Sequence, residues 1–299
     1  MMSSRVPFLL AFVLIALLNT NVGAQSSDRR ISIAVLSFGD ESVGRPSSES
    51  LTAKLREHGD ILILDADQTR AAAKGAGYAP SLNMANAEAR TLGAVMGSDF
   101  FVLGDAQTLR RSPSTGAVYF ESYASIFVVS SRTGRLIDWL RLSFQAPAPE
   151  AATKLLLNAL SQRAFGDRVM ASIRKAAQDE KTSRVAAITK GVPVIEEAPN
   201  DEKVAAAEGL RLPRPYRRFQ PSYPDAAAKA EAEAIVDVVV DLDASGEITH
   251  AEIARWAGFG LDEATLETVR KLHFFPAMRN GVAVPLRVLL RYNFRKPPK

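Results

Sequence analysis

Asp241, Asp243, Ser245, Gly246, Ile248 and Glu252 occupy positions 1, 3, 5, 6, 8 and 12 of the stretch DLDASGEITHAE. This is the spacing of an EF-hand loop, in which carboxylates and one backbone carbonyl wrap a calcium ion. Such a loop works only between two helices that hold its ligands around the cation. The residues before Asp241 do not form one: Val236, Val238, Val240 and Leu242 alternate with Asp237 and Asp241, and β-branched residues dominate, which is a strand pattern. In that register Asp243-Ala244-Ser245-Gly246 is a turn, with Asp accepting local backbone hydrogen bonds and Gly supplying a positive φ. A hairpin turn is the stronger reading and a calcium loop the weaker.

The other candidates for chemistry are sparse. His58, His250 and His273 fall on a helix end, a hairpin strand and a helix-to-strand junction, with no H-x-x-x-H spacing; a zinc site or a triad would need them to converge from separate elements. The chain has no cysteine, which excludes disulfides, thiolate metal sites, a cysteine nucleophile and a lipidated N-terminal cysteine. KGAGY (74–78) lacks G-x-G-x-x-G spacing, and no phosphate-cradling G-x-x-x-x-G-K-[ST] occurs. Glu196, Glu197, Asp201 and Glu202 cluster in a stretch of linker composition that cannot hold carboxylates at a fixed separation. Trp139 and Trp256 are single aromatics on strands, expected in a core. The expectation is a non-catalytic protein with no cofactor and no metal.

The 299 residues, 47% hydrophobic and 23% charged, suit two globular domains. At the start, Arg5 precedes an apolar run from Val6 to Leu18, and Val22-Gly23-Ala24 ends it. This is signal-peptide architecture, with cleavage expected between Ala24 and Gln25. The run alone covers roughly 20 Å as a helix, short of a bilayer core of about 30 Å. An uncleaved inner-membrane anchor is the alternative, because no charge appears from Val6 to Ser27. Either way the remainder is exported, with a periplasmic location favoured. The net charge of +4 becomes +3 if Arg5 is removed; the basic clusters, 211–218 and 287–299, lack base-reading aromatics, so nucleic acid is not an expected partner.

These elements fall into two units. From 30 to 180, apolar runs (ISIAVLSF, ILILD, DFFVLGD) alternate with helical segments, Asp67 can cap the helix that follows it, and two consecutive strands, 117–130 and 135–144, precede a helix over 151–178. This is an α/β domain with a mixed sheet. Residues 181–221, rich in proline and acids, have the composition of a semi-rigid linker. From 222 to 295 the order is hairpin, helix, strand: a small ββαβ, α+β unit.

Tyr223-Pro224, IVDVVVDL, the Asp243–Gly246 turn, Leu261-Asp262-Glu263-Ala264 with Leu266, Phe274-x-Pro276-Ala277, Asn280-Gly281 and Val284-Pro285 together resemble the TonB C-terminal domain, over about a quarter of the chain. Two positions depart from that pattern: Ala234 follows Glu233 where the family has glycine, and Leu272 stands where it has tryptophan. The resemblance implies that the last strand, at Arg287, Val288, Leu289, Leu290 and Arg291, grips an extended segment of an outer-membrane receptor or other envelope protein by β-augmentation. It also implies a role in TonB-type energy transduction or outer-membrane transport, with inner-membrane motor proteins as further partners if the N-terminus is uncleaved. A cleaved chain would instead be a periplasmic adaptor or assembly protein of an outer-membrane complex. In the residues themselves, Arg287, Leu289, Arg291 and Asn293 alternate with an apolar set, so the arginines are equally readable as charges that keep an edge soluble. The first unit, through IAVLSFGDES, ILILDADQTRAAAK, EARTLGAVMGSDFFVLGD and SSRTGRLID, is similar to the TolB N-terminal and CsgG-like envelope α/β domains, a similarity carried by packing and turn residues.

Overall fold

The computed structural model describes residues 30–39, 42–190, 195–199 and 201–296; the expected cleavage point at Ala24 and Gln25 lies outside them. The first unit comprises β1 (Ile31–Val35), α1 (Gly44–Leu55), β2 (Ile61–Ile63), α2 (Ala66–Gly75), β3 (Met84–Ala85), α3 (Asn86–Met96), β4 (Phe100–Arg111), β5 (Tyr119–Ser130), β6 (Leu136–Ala146), α4 (Pro149–Leu160) and α5 (Arg163–Lys190). Its sheet runs β2-β1-β4-β5-β6, parallel at β2-β1-β4 and antiparallel beyond. The unbroken apolar pattern of β1 follows from burial on both faces: Ile33 and Val35 pack with Leu51, Leu156 and Met170 under α1, α4 and α5, while Ala34 joins Ala89 and Leu92 of α3 on the other side.

Local chemistry moves several boundaries. Helix α1 starts at Gly44, where a Cβ would stand 2.3 Å from the Phe38 carbonyl oxygen. Asp65, not Asp67, caps α2, its side chain accepting from the Asp67 and Gln68 amides. The single helix expected over 151–178 is two, because the chain leaves helix at Ser161, whose hydroxyl turns back to the Leu157 carbonyl.

The second unit holds α6 (Glu202–Ala207), β7 (Leu210–Arg211), β8 (Arg214–Pro215), α7 (Asp225–Ala230), β9 (Ala234–Leu242), β10 (Ile248–Trp256), α8 (Leu261–Val269), β11 (Phe274–Phe275), β12 (Ala277–Arg279), β13 (Val282–Val284) and β14 (Leu286–Phe294). Its main sheet is β14-β9-β10-β3. The described residues of 181–221 are not a plain spacer: β7 pairs with β12 and β8 with β11, and Ala205 and Leu210 are buried with Ala277 and Leu286. Two buried apolar side chains among prolines and acids are too few to show as a pattern.

The two units share a core. β3, from the first, adds to the β10 edge of the second through Trp256↔Met84 and Arg255↔Ala85. Phe127 of β5 stacks on Trp256 at 6.0 Å and meets Phe259 edge-on at 5.5 Å, and Trp139 of β6 lies 5.7 Å from Phe259. Polar joints hold the seam: the Trp256 indole donates to the Gly134 carbonyl at 2.9 Å, and the Asn83 amide both donates to the Ile235 and Trp256 carbonyls and accepts from the Ile235 amide. Among the described residues no helix is long and apolar enough to cross a membrane.

Candidate functional site

The open edge of the second sheet is β14. It is paired along its whole length with β9, from Leu286↔Leu242 to Phe294↔Ala234. The Arg287 amide donates to the Glu196 carbonyl at 2.8 Å and the Arg287 carbonyl accepts from the Ala198 amide at 2.7 Å, so the backbone of Arg287 faces away from β9. Strand residues alternate in this direction, and Leu289, Arg291 and Asn293 therefore present their N–H and C=O groups outward too. No described segment bonds to those three.

The side chains sort differently from the sequence expectation. Arg287 and Arg291 are not free charges along the edge, because register puts each opposite a carboxylate on β9. Arg287 forks onto Asp241 (2.6 and 2.9 Å) and Arg291 onto Asp237 (2.7 and 2.9 Å), and both aspartates are only 5% exposed. The Arg287 guanidinium holds the Asp241 carboxyl below the usual carboxylate range. Val288 and Leu290 pack against the shared core, while Leu289 is 49% exposed. Of the five expected positions, Arg287 already has its backbone partner in the strap Glu196–Ala198, which Arg279 anchors by an ion pair to Glu196. Leu289 and Arg291 remain open, and Asn293 joins them; strand alternation alone could have found it.

The calcium-like stretch lies along the β9–β10 hairpin. Asp241 is held by Arg287 and Glu252 by Arg135 at 2.6 Å, while Asp243 Oδ1 accepts from the Ser245 amide, the Ser245 hydroxyl and the Glu247 amide. Gly246 has φ +88°, and a Cβ there would stand 2.1 Å from the Phe274 carbonyl oxygen. The hairpin thus employs the motif's carboxylates one by one, as strand partners and turn acceptor. The three histidines also lie apart, each facing its own carboxylate: His58 faces Asp167, His250 faces Glu252 and His273 faces Glu247.

Asp262, in the first turn of α8, has a role that no sequence signal marks. It is buried, accepts from the Ala257 and Gly258 amides at 2.9 Å each, and so holds the loop that presses Gly258 against Phe127. Burial pushes its carboxyl up to about 7 from an ordinary 3.8, against the pull of those two amides. The folded chain therefore binds a proton that the unfolded chain has released between these values, and stability falls as pH rises from about 4 to 7. Asp262→Asn is expected to remove up to about 1.4 kcal/mol per pH unit of that slope, measured as the difference between urea-unfolding free energies at pH 5 and pH 7. Equal slopes in both proteins would contradict it.

Several solved structures are similar to parts of this chain. The solution structure of the Pseudomonas aeruginosa TonB C-terminal domain is 20% identical, covering 29% of this chain and 89% of its own, with a TM-score of 0.25. The lipoprotein GNA1162 of Neisseria meningitidis is 17% identical over 50% of this chain and 99% of its own, TM-score 0.31. The LpoB C-terminal domain of Salmonella enterica is 15% identical over 40% and 84%, TM-score 0.29. No curated protein matches. Residues 220–295, which carry β9, β10, α8 and β14, match the family model of the Gram-negative bacterial TonB protein C-terminal.

Proposed function

We propose that this chain is a non-catalytic envelope adaptor, facing the periplasm, whose TonB-like unit binds an extended segment of an outer-membrane receptor or another envelope protein along β14. The observation that carries the reading is the outward row of backbone groups at Leu289, Arg291 and Asn293, unpaired among the described residues, on a strand bonded to β9 along its inner side. An added strand would take its affinity from those main-chain groups, and selectivity from the exposed Leu289 and the side chains that flank it.

The same geometry favours an adaptor over an energy transducer coupled to inner-membrane motor proteins. A transducer that reaches across an envelope needs a spacer that stays extended. Here residues 196–198 and 210–215 are bonded onto the second unit, and that unit shares its core with the first.

Leu289→Pro tests the reading. Proline removes the outward donor and leaves the β9 ladder intact, a placement edge strands tolerate. Capture of the partner segment is expected to weaken at least ~10-fold, about 1.4 kcal/mol, with an unchanged circular dichroism spectrum. Undiminished capture by the folded variant would remove β14 as the site.

A further inference from the structure

The first unit has an open edge of its own, longer than that of β14. The Ser130 amide donates to the Arg135 carbonyl, and the Ser130 carbonyl accepts from the Gly134 amide. Even-numbered residues of β5 therefore face β6, where Val128, Ile126, Ala124 and Ser122 pair with Asp138, Leu140, Leu142 and Phe144. By alternation, Trp139, Arg141, Ser143 and Gln145 direct their backbone groups away from the sheet, and no described segment bonds to them.

Folded proteins usually blunt such an edge with proline, lysine, a bulge, short length or a covering segment. The other outer strand of this sheet, β2, has three residues, and β3 has two. β6 has eleven, and its irregularity lies at the start, opposite Val128 and Val129. From Trp139 to Ala146 there is neither proline nor lysine. The one charged residue there, Arg141, is folded away over the Tyr123 ring at 4.1 Å and toward Glu121, its side chain 13% exposed.

The edge lines a groove. Trp139, Arg141, Ser143 and Gln145 line a volume of about 1270 Å³ between β6, the start of α5 and α7, and Asp138 lines both this volume and a second, of about 900 Å³, between β6 and α5. The walls of the two volumes carry five cations, Arg90, Arg168, Lys175, Arg184 and Lys229, that form no ion pair with a carboxylate among the described residues. Of the carboxylates that line them, Asp138, Asp179 and Asp225 form no ion pair among the described residues.

We propose that β6 is a second strand-acceptor edge, which takes an extended acidic segment of a partner polypeptide into the groove between α5 and the C-terminal unit. The unpaired backbone row selects an extended chain, and the excess of unpaired cations selects its charge. This assignment is independent of the β14 reading.

The test uses the full chain and a fluorescent decapeptide of alternating glutamate and valine, with a lysine–valine decapeptide as control, read by anisotropy. The glutamate peptide is expected to bind more tightly than the lysine peptide and to weaken with added salt. Ser143→Pro should weaken it at least tenfold, whereas Asn293→Pro on β14 should leave it unchanged. If Ser143→Pro does not fold, the double reversal Arg168→Glu with Lys175→Glu leaves the sheet untouched and should weaken binding at least tenfold as well. The proposal is overturned by no binding of the glutamate peptide, by equal binding of the lysine peptide, or by full binding to a folded Ser143→Pro or to the charge-reversed chain. It is also overturned if the chain alone is a dimer that Ser143→Pro dissociates, which would make a second copy the occupant.

Discussion

Trp256→Ala is expected to destabilise the whole chain by about 3–5 kcal/mol, the range for deleting a large buried aromatic. The side chain is 1% exposed, stacks on Phe127 from the other unit, and gives its indole N–H to the Gly134 carbonyl. Truncation opens a cavity in the shared core and leaves that carbonyl without its donor, two costs of separate origin. Trp139, the other of the chain's two tryptophans, lies across the seam against Phe259 and remains as a fluorescent reporter in the variant. Its urea transition should move to lower denaturant together with the far-ultraviolet transition. A shift below about 1 kcal/mol, or a Trp139 transition that stays in place, would mean that the units are energetically separate.

Gly134→Ala should cost about 2–5 kcal/mol although it adds one methyl group. Gly134 has φ +73°, and a Cβ built there stands 1.9 Å from the Asn86 carbonyl oxygen and 2.6 Å from its carbon. The left-handed conformation alone costs an alanine roughly 1–2 kcal/mol, and relieving an overpacked contact typically adds about 1–3 kcal/mol. The contact is with backbone, so no side chain can swing aside. Asn86 must move, and its side-chain amide bonds the Ile253 carbonyl on β10 at 2.7 Å. Amide exchange in β3 and β10 should therefore quicken more than in β1. A melting temperature equal to that of the wild-type chain would contradict this.

Why the sequence disclosed one seam and hid another is clear from these residues. The alternation of Val236, Val238, Val240 and Leu242 with Asp237 and Asp241 marks a strand with one core face, and the ordered turn and helix signals that follow carry the TonB-like unit. Alternation says which face is buried and not against what. That Trp256 packs on Phe127, 129 positions away in sequence, has no local signal. Nor does β3, whose two residues are too few for any period. Asn83 and Asn86 carry no sequence mark of a long-range contact, yet their amides satisfy carbonyls of the other unit. The strap at Glu196–Ala198 was hidden by its acids and prolines, because its attachment to Arg287 is through backbone alone. The arginines of β14 were visible as charges, and only the register with β9 shows their carboxylate partners.

The most direct measurement is a cross-link from β14 in the intact protein. The chain has no cysteine, so Asn293→Cys supplies a unique thiol beside the open backbone row for a photoactivatable label. The account predicts adducts with an envelope protein through one short extended segment, lost when Leu289→Pro is added. Adducts that persist in the folded double variant, or that form equally from a cysteine at the exposed Val282, would contradict it.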